Sequence, residues 1–570
     1  MKNNQLTNVF CYQFIVLLLL LSGACSSGVQ EEADTVFLSG KIYTMDTETP
    51  WAKTMAIKDG IISYIGMDDE EGKKYIGKNT KVVRLEGRLV LPGLHDAHAH
   101  PIMGAEAAGY CQLSGLLDIK DILAAIADYA MENQDAKVIL GRGWELPAFP
   151  DGNPKKELLD SILPNRPVIL SSWDGHNAWV NSKALEMANI DKETPDPKNG
   201  RIERDPKTGE PSGTLRETAK RLLNSIMPKK AEGAEIDFLR EAQKLANSYG
   251  ITSMVEATAS EAYLKAYKTL DDKGELTLRV VASIGLGREK AKSLKELLTL
   301  RNTYDGERVN TNSVKVYADG VPEAKTAALL EPYHSHDDEE DFGILNFQLE
   351  ELKAILDSLD HEGFQIHIHA LGDKAVRVSL DALENLDRSN RHHLAHLQIV
   401  HPDDIPRFGA LGVTANFQPF WAKADALNVQ TIIPLVGEER SKQMYPMGSI
   451  LRSGGRIVAG SDWPVSTLNP WHAIQVAVTR QLIDGEDESW IPTESVDLPS
   501  ILSAYTKDAA FIMHQEEKTG TLEIGKMADV IVLDRNIFDI PPSEIHKTQV
   551  LLTLLEGEEV HEHEAADFLN

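Results

Sequence analysis

Apolar and polar positions alternate in short runs at both ends of the chain and merge into solid apolar runs between them. Near the start, TVFLSGKIYTM, TMAIKDGIISYIG and KVVRLEGRLV are rich in β-branched and aromatic residues and are broken by Gly, Asp and Asn turns. Runs of that kind predict short strands. MADVIVLD and the run from Gln549 to Leu555 have the same character near the other end. Residues 34–90 and 515–570 are therefore expected to meet in one composite β-sandwich.

The middle, residues 91–514, alternates apolar runs with longer helical patterns. Eight strand candidates stand out: LPGLHDAHAH, GITSMVEAT, LTLRVVASIG, SVKVYADG, GFQIHIHALGD, HHLAHLQIV, GVTANFQP and RIVAGSDWPV. Eight such runs interleaved with helices predict an α/β fold, the (β/α)8 TIM barrel. From about Pro101 to Ala246 the gap between the first two runs is too long for a simple βα connection. An inserted subdomain, rich in aromatic residues, Gly and Pro, is expected there.

The first 24 residues read as a signal peptide. Lys2 precedes an apolar core, Phe14 to Leu21, too short to span a bilayer comfortably, and LSGACSS follows. Leu-Ser-Gly-Ala before Cys25 resembles a lipobox, in which the cysteine becomes lipidated; an ordinary signal peptide is the alternative. On the lipobox reading the protein is an exported lipoprotein held to a bacterial envelope membrane through Cys25. The three cysteines are Cys11, Cys25 and Cys111, so no disulfide framework is expected.

Of 570 residues, 42% are hydrophobic and 25% charged, and the net charge of −29 comes without a basic run. That argues for a large folded enzyme and against nucleic acid as a partner; the acidity most simply means solubility and does not identify the substrate, which is expected to be a small molecule. The sequence leaves a homo-oligomer open.

Asp96, His98 and His100 alternate at period two, so in a strand their side chains share a face. Two imidazoles so spaced can bind one metal ion, and the C-terminal end of a barrel strand is where such enzymes build their sites. Later runs place suitable ligand types at comparable ends: His369, His396 and Asp462. His367 shares a strand face with His369 and is read as lining the barrel or standing behind the ligands, with His392 and His393 outside them too. Lys315 in SVKVYADG is costly in such a pocket unless paired or made anionic. Carbamylation by CO2 and pairing with Asp319 or a substrate carboxylate are both open.

PGLHDAHAH, VKVYADG, HIHALGDKAV, HLQIVHPDDIPRFGALGV, GSDWPV and AYTKDAAFIMHQEEKTGTLEIGKMADVIVLD resemble amidohydrolase family 3, the group that includes N-substituted formamide deformylases. The likeness spans essentially the whole mature chain. It implies metal ligands at His98, His100, His369, His396 and Asp462, with Lys315 as a carbamylated bridge between one or two divalent ions, Zn2+ foremost. DGHNAWVNSKAL resembles the family's insertion motif and implies His176 and Trp173 near the substrate. Two departures touch pocket detail: Ala395 stands where many relatives carry an acidic residue, and DGVPEAKTAALLEPY replaces a commoner Gly-Ser-rich stretch.

The expected function is hydrolysis of a C–N bond, of amide or N-formyl/N-acyl type, by metal-activated water, with Asp462 as general base and His176 stabilising the oxyanion. Deamination, or hydrolysis of an ester or lactone, uses the same chemistry, and a surface lipoprotein that captures ligand without turnover is a rival of another class.

Overall fold

Eight runs, solidly apolar because both faces of each strand are covered, form one parallel sheet. They are β1 (Leu94–Ala99), β2 (Ile251–Ala259), β3 (Arg279–Gly285), β4 (Val309–Tyr317), β5 (Gln365–Ala370), β6 (His393–His396), β7 (Thr414–Phe417) and β8 (Ile457–Ala459). The computed structural model describes residues 32–287, 291–334, 340–483, 485 and 488–566. Sheet order follows chain order from β1 to β8. Polar bonds to β1 help close the ring: just past β8 the Asp462 amide donates to the His98 carbonyl at 2.7 Å, and Asn416 Nδ2 of β7 donates to the Ala97 carbonyl at 2.8 Å. The result is a nearly closed (β/α)8 barrel, as the eight runs predict.

Helices with apolar stripes pack around this sheet. Leu294–Tyr304 starts in a capping box between Ser293 and Glu296, and Glu261–Asp272 is capped by the Ser260 side chain. Leu239 and Ala246 of Ala234–Ser248, and Ile102 of Pro101–Ala108, are buried in the barrel core. These two helices lie inside the stretch expected as an insertion, yet their apolar faces belong to the barrel.

What stands apart from the barrel is a six-stranded sheet running from Cys111–Gln112 to Pro211–Glu217, backed by the helix Ile119–Glu132. Trp144, Leu170 and Trp179 are fully buried in its core.

Strands from both chain ends share a further six-stranded sheet, in which Leu89–Pro92 pairs with Lys41–Tyr43 and with Val530–Leu533. A four-stranded sheet contains Thr35–Leu38 and Lys81–Arg84. Phe37 and Val83 from one sheet and Val90, Val532 and Leu552 from the other bury one another in a common core, as in a sandwich. Arg279 of β3 fastens this layer to the barrel through ion pairs with Asp529 and with Glu556, the latter at 2.7 Å. The signal and lipobox residues, Cys25 included, lie outside the described residues; among those described, no helix is long and apolar enough to cross a membrane.

Candidate metal centre

Side chains at the C-terminal ends of β1, β4, β5 and β6, together with Asp462 just past β8, line one cavity of about 930 Å3. It is large enough for a drug-sized molecule. His98, His100, Lys315, His369, His396 and Asp462 all line it. One donor atom from each of His98, His100 and Asp462 lies within 4.8 Å of the other two, close enough to share a metal ion.

The finer geometry fits a shared centre better than mutual hydrogen bonding. Asp462 Oδ1 lies 3.2 Å from His100 Nε2 and 3.5 Å from His98 Nε2, yet it is buried without a hydrogen-bond partner. Buried polar atoms are almost always satisfied, so an orphaned carboxylate oxygen between two imidazoles marks a place for a cation. The His369 and His396 rings stand 4.6 Å apart by centroid, and His396 lies 4.7 Å from His98.

Each imidazole is also held from behind, as metal-binding histidines are. His396 Nδ1 bonds Gln418 Oε1 at 2.8 Å, His369 Nε2 meets the Gly320 carbonyl at 3.2 Å, and His100 Nδ1 faces Glu256 Oε1 at 3.4 Å. His367 stands behind His98, its Nε2 at 2.9 Å from His98 Nδ1. Lys315 Nζ lies 3.3 Å from both His98 Nε2 and His367 Nε2. Asp319 accepts the backbone N–H groups of Ala328, Leu371 and Gly372. His393 lies one layer deeper, its ring tilted against that of His367 at 4.1 Å, and His392 bonds Asp360.

Asp96 stands outside this set. It shares the pleat face of the two histidines, but its Oδ1 accepts the amides of His98 and Ser461, so it latches β1 to the segment after β8. Two of the six site residues carry left-handed backbone, His396 at φ 82° and Asp462 at φ 51°. Each costs about 1–3 kcal/mol, strain of the kind that clusters at functional sites.

The electrostatics keep His98 and His396 neutral beside an ionised carboxylate, the state a cation requires, and His100, set between two carboxylates, is the exception. Burial, then Lys315, holds His98 well below its ordinary value, and burial lowers His396 to about 3. Burial opposes ionisation of Asp462, but His100 and His396 hold it below the usual carboxylate range. Burial also opposes protonation of His100, but Asp462 and Glu256 push it up to about 10.

The inserted sheet supplies the opposite wall. His176 lines the cavity, and its Nδ1 donates to Glu217 Oε1 at 2.9 Å. Glu217 also accepts from Thr326 Oγ1 at 2.8 Å and holds φ 50°. Trp173 packs edge-on against Trp421 at 5.7 Å, and Trp421 stacks on His396 at 5.5 Å. Glu256, Glu217 and Gln418 were not singled out in the sequence. Only Glu256 left a signal there, an ionisable residue at the end of an apolar strand run.

Residues 81–561 match the family described as the amidohydrolase family. The chain is 30% identical to LONG AFTER FAR-RED 3 of Arabidopsis thaliana over 93% of this chain and 92% of that protein. It is 26% identical to an N-substituted formamide deformylase of Arthrobacter pascens over 92% of this chain and 97% of the relative. An uncharacterized metal-dependent hydrolase from Pyrococcus horikoshii shares the fold with a TM-score of 0.71 and 25% identity, covering 89% of this chain and 99% of that one. With a match across most of its length and this barrel beneath it, the chain belongs to the amidohydrolase family.

Proposed function

We propose that this hydrolase cleaves a C–N bond of amide type in a small molecule, an N-formyl or N-acyl amine, at the cavity lined by Asp462. The observation that carries this reading is the buried, unsatisfied Asp462 Oδ1 beside His98 and His100. His98, His100, Lys315, His369, His396 and Asp462 would hold one or two divalent ions, Zn2+ foremost, with Lys315 carbamylated. Bound there, the metal supplies a more acidic water and a Lewis acid for the carbonyl.

The protein's own groups do the rest. Asp462, kept ionised by its imidazole neighbours, takes a proton from the attacking water and returns it to the leaving amine. Glu217 accepts the Nδ1 proton of His176, which fixes the ring so that His176 stabilises negative charge growing on the carbonyl oxygen. Trp173 and Trp421 cover the aromatic side of the cavity and keep water from the reacting bond.

The test is a screen of the purified mature protein against N-formyl and N-acyl amines, dipeptides, lactones and cyclic ureas, with metal analysis alongside. Turnover of an N-formyl or N-acyl amine is the expected result; turnover confined to lactones overturns the amide assignment. Anchoring through Cys25 is part of the same proposal, and metabolic labelling with a fatty acid reads it out: an unlabelled Cys25 contradicts it.

A further inference from the structure

Glu256 sits near the C-terminal end of β2, fully buried and just behind the cavity. A buried carboxylate is costly unless compensated. Its Oε2 accepts from the Tyr267 hydroxyl at 3.1 Å, and its Oε1 accepts the Thr258 amide at 3.3 Å. These are neutral donors. Among the described residues its ion-pair partner is His100, whose Nδ1 stands 3.4 Å from Oε1, while Nε2 of the same ring lies 3.2 Å from Asp462 Oδ1. One imidazole thus separates two carboxylates.

We propose that Glu256 is the positioning residue of the metal centre: it holds the proton of His100 on Nδ1, so that Nε2 is the atom offered to the cation. The inference rests on the metal reading above. A carboxylate behind a metal-binding imidazole fixes its tautomer and strengthens it as a ligand. It also places a second carboxylate on the far side of the His100 ring, and that negative charge favours a buried cation. Glu256 acts through His100 and does not line the cavity.

The experiment measures Zn2+ affinity of chelator-stripped protein by competition with a chromogenic chelator, and the visible absorption of the Co2+ form. Glu256→Gln should bind Zn2+ about 10–100-fold more weakly and shift the Co2+ bands, with the melting temperature of the metal-free protein unchanged. Tyr267→Phe keeps the charge and should stay within about threefold of the parent, since it leaves the carboxylate beside His100 in place. Parental Zn2+ affinity and Co2+ bands in Glu256→Gln overturn the proposal. A parent protein that binds no Zn2+ overturns the metal reading itself and this inference with it, so the two failures are distinguishable. If Glu256→Gln does not fold, Glu256→Asp carries the test: drawing the carboxylate away from His100 should weaken Zn2+ binding, and undiminished affinity overturns the proposal.

Discussion

The amide of Asp462 donates to the carbonyl of His98 at 2.7 Å, so the bond that joins the last barrel strand to the first also sets the spacing of two site residues. Gly460, two positions earlier, lies so close that an added Cβ would stand 2.5 Å from the His98 amide nitrogen. Barrel closure and assembly of the site are therefore one packing problem.

Gly460→Ala should disturb the site more than the fold. The collision is with backbone, which yields little, and a displacement near 1 Å can cost about a hundredfold in rate. Turnover and Zn2+ affinity should each fall about tenfold or more while the protein still folds. Parental kinetics in a folded variant would show that His98 is free to move aside.

Asp462→Asn keeps the side-chain size and a neutral ligand oxygen but removes the base. Turnover should fall by about 10² or more, the scale of general acid–base catalysis. Metal content and melting temperature should be largely retained on the same preparation. A folded, metal-loaded variant with near-parental turnover would assign the proton transfer to another residue.

Arg279→Ala tests the joint between barrel and sandwich. Asp529 is buried, and the guanidinium is its ion-pair partner as well as that of Glu556. Breaking a buried pair on one side costs about 3–5 kcal/mol. The melting temperature should drop clearly, while kcat of protein assayed well below it stays within a small factor of the parent. An unchanged melting temperature would mean that water satisfies Asp529 without the arginine.

The barrel was legible in the sequence because its strands are covered on both faces, which leaves solid apolar runs such as GITSMVEAT. The six site residues were legible for a related reason: a polar residue at the end of such a run has few other uses. What sequence could not carry was pairing across distance. His176 and Glu217 meet because Asn177–Val180 runs antiparallel to Pro211–Glu217, with Asn177 opposite Arg216, a register no local pattern specifies. Period two likewise fixes the face of Asp96 but not its hydrogen bonds, and backbone amides captured its carboxylate. The helices Pro101–Ala108 and Ala234–Ser248 hid within the insertion because its length, rather than the apolar stripe of each helix, set its expected limits.

The most direct measurement strips metal from the parent protein with a chelator, assays turnover of a substrate found in the screen, and repeats the assay after Zn2+ is added back. His98→Ala with His100→Ala is carried through the same steps. The expected result is a parent purified with bound divalent metal, inactive once stripped and restored by Zn2+, beside a folded double variant that holds little metal and is not restored, because the ligands act as one shell. Full turnover by the stripped parent, or unchanged metal content in the double variant, would contradict hydrolysis at a centre built on His98, His100 and Asp462.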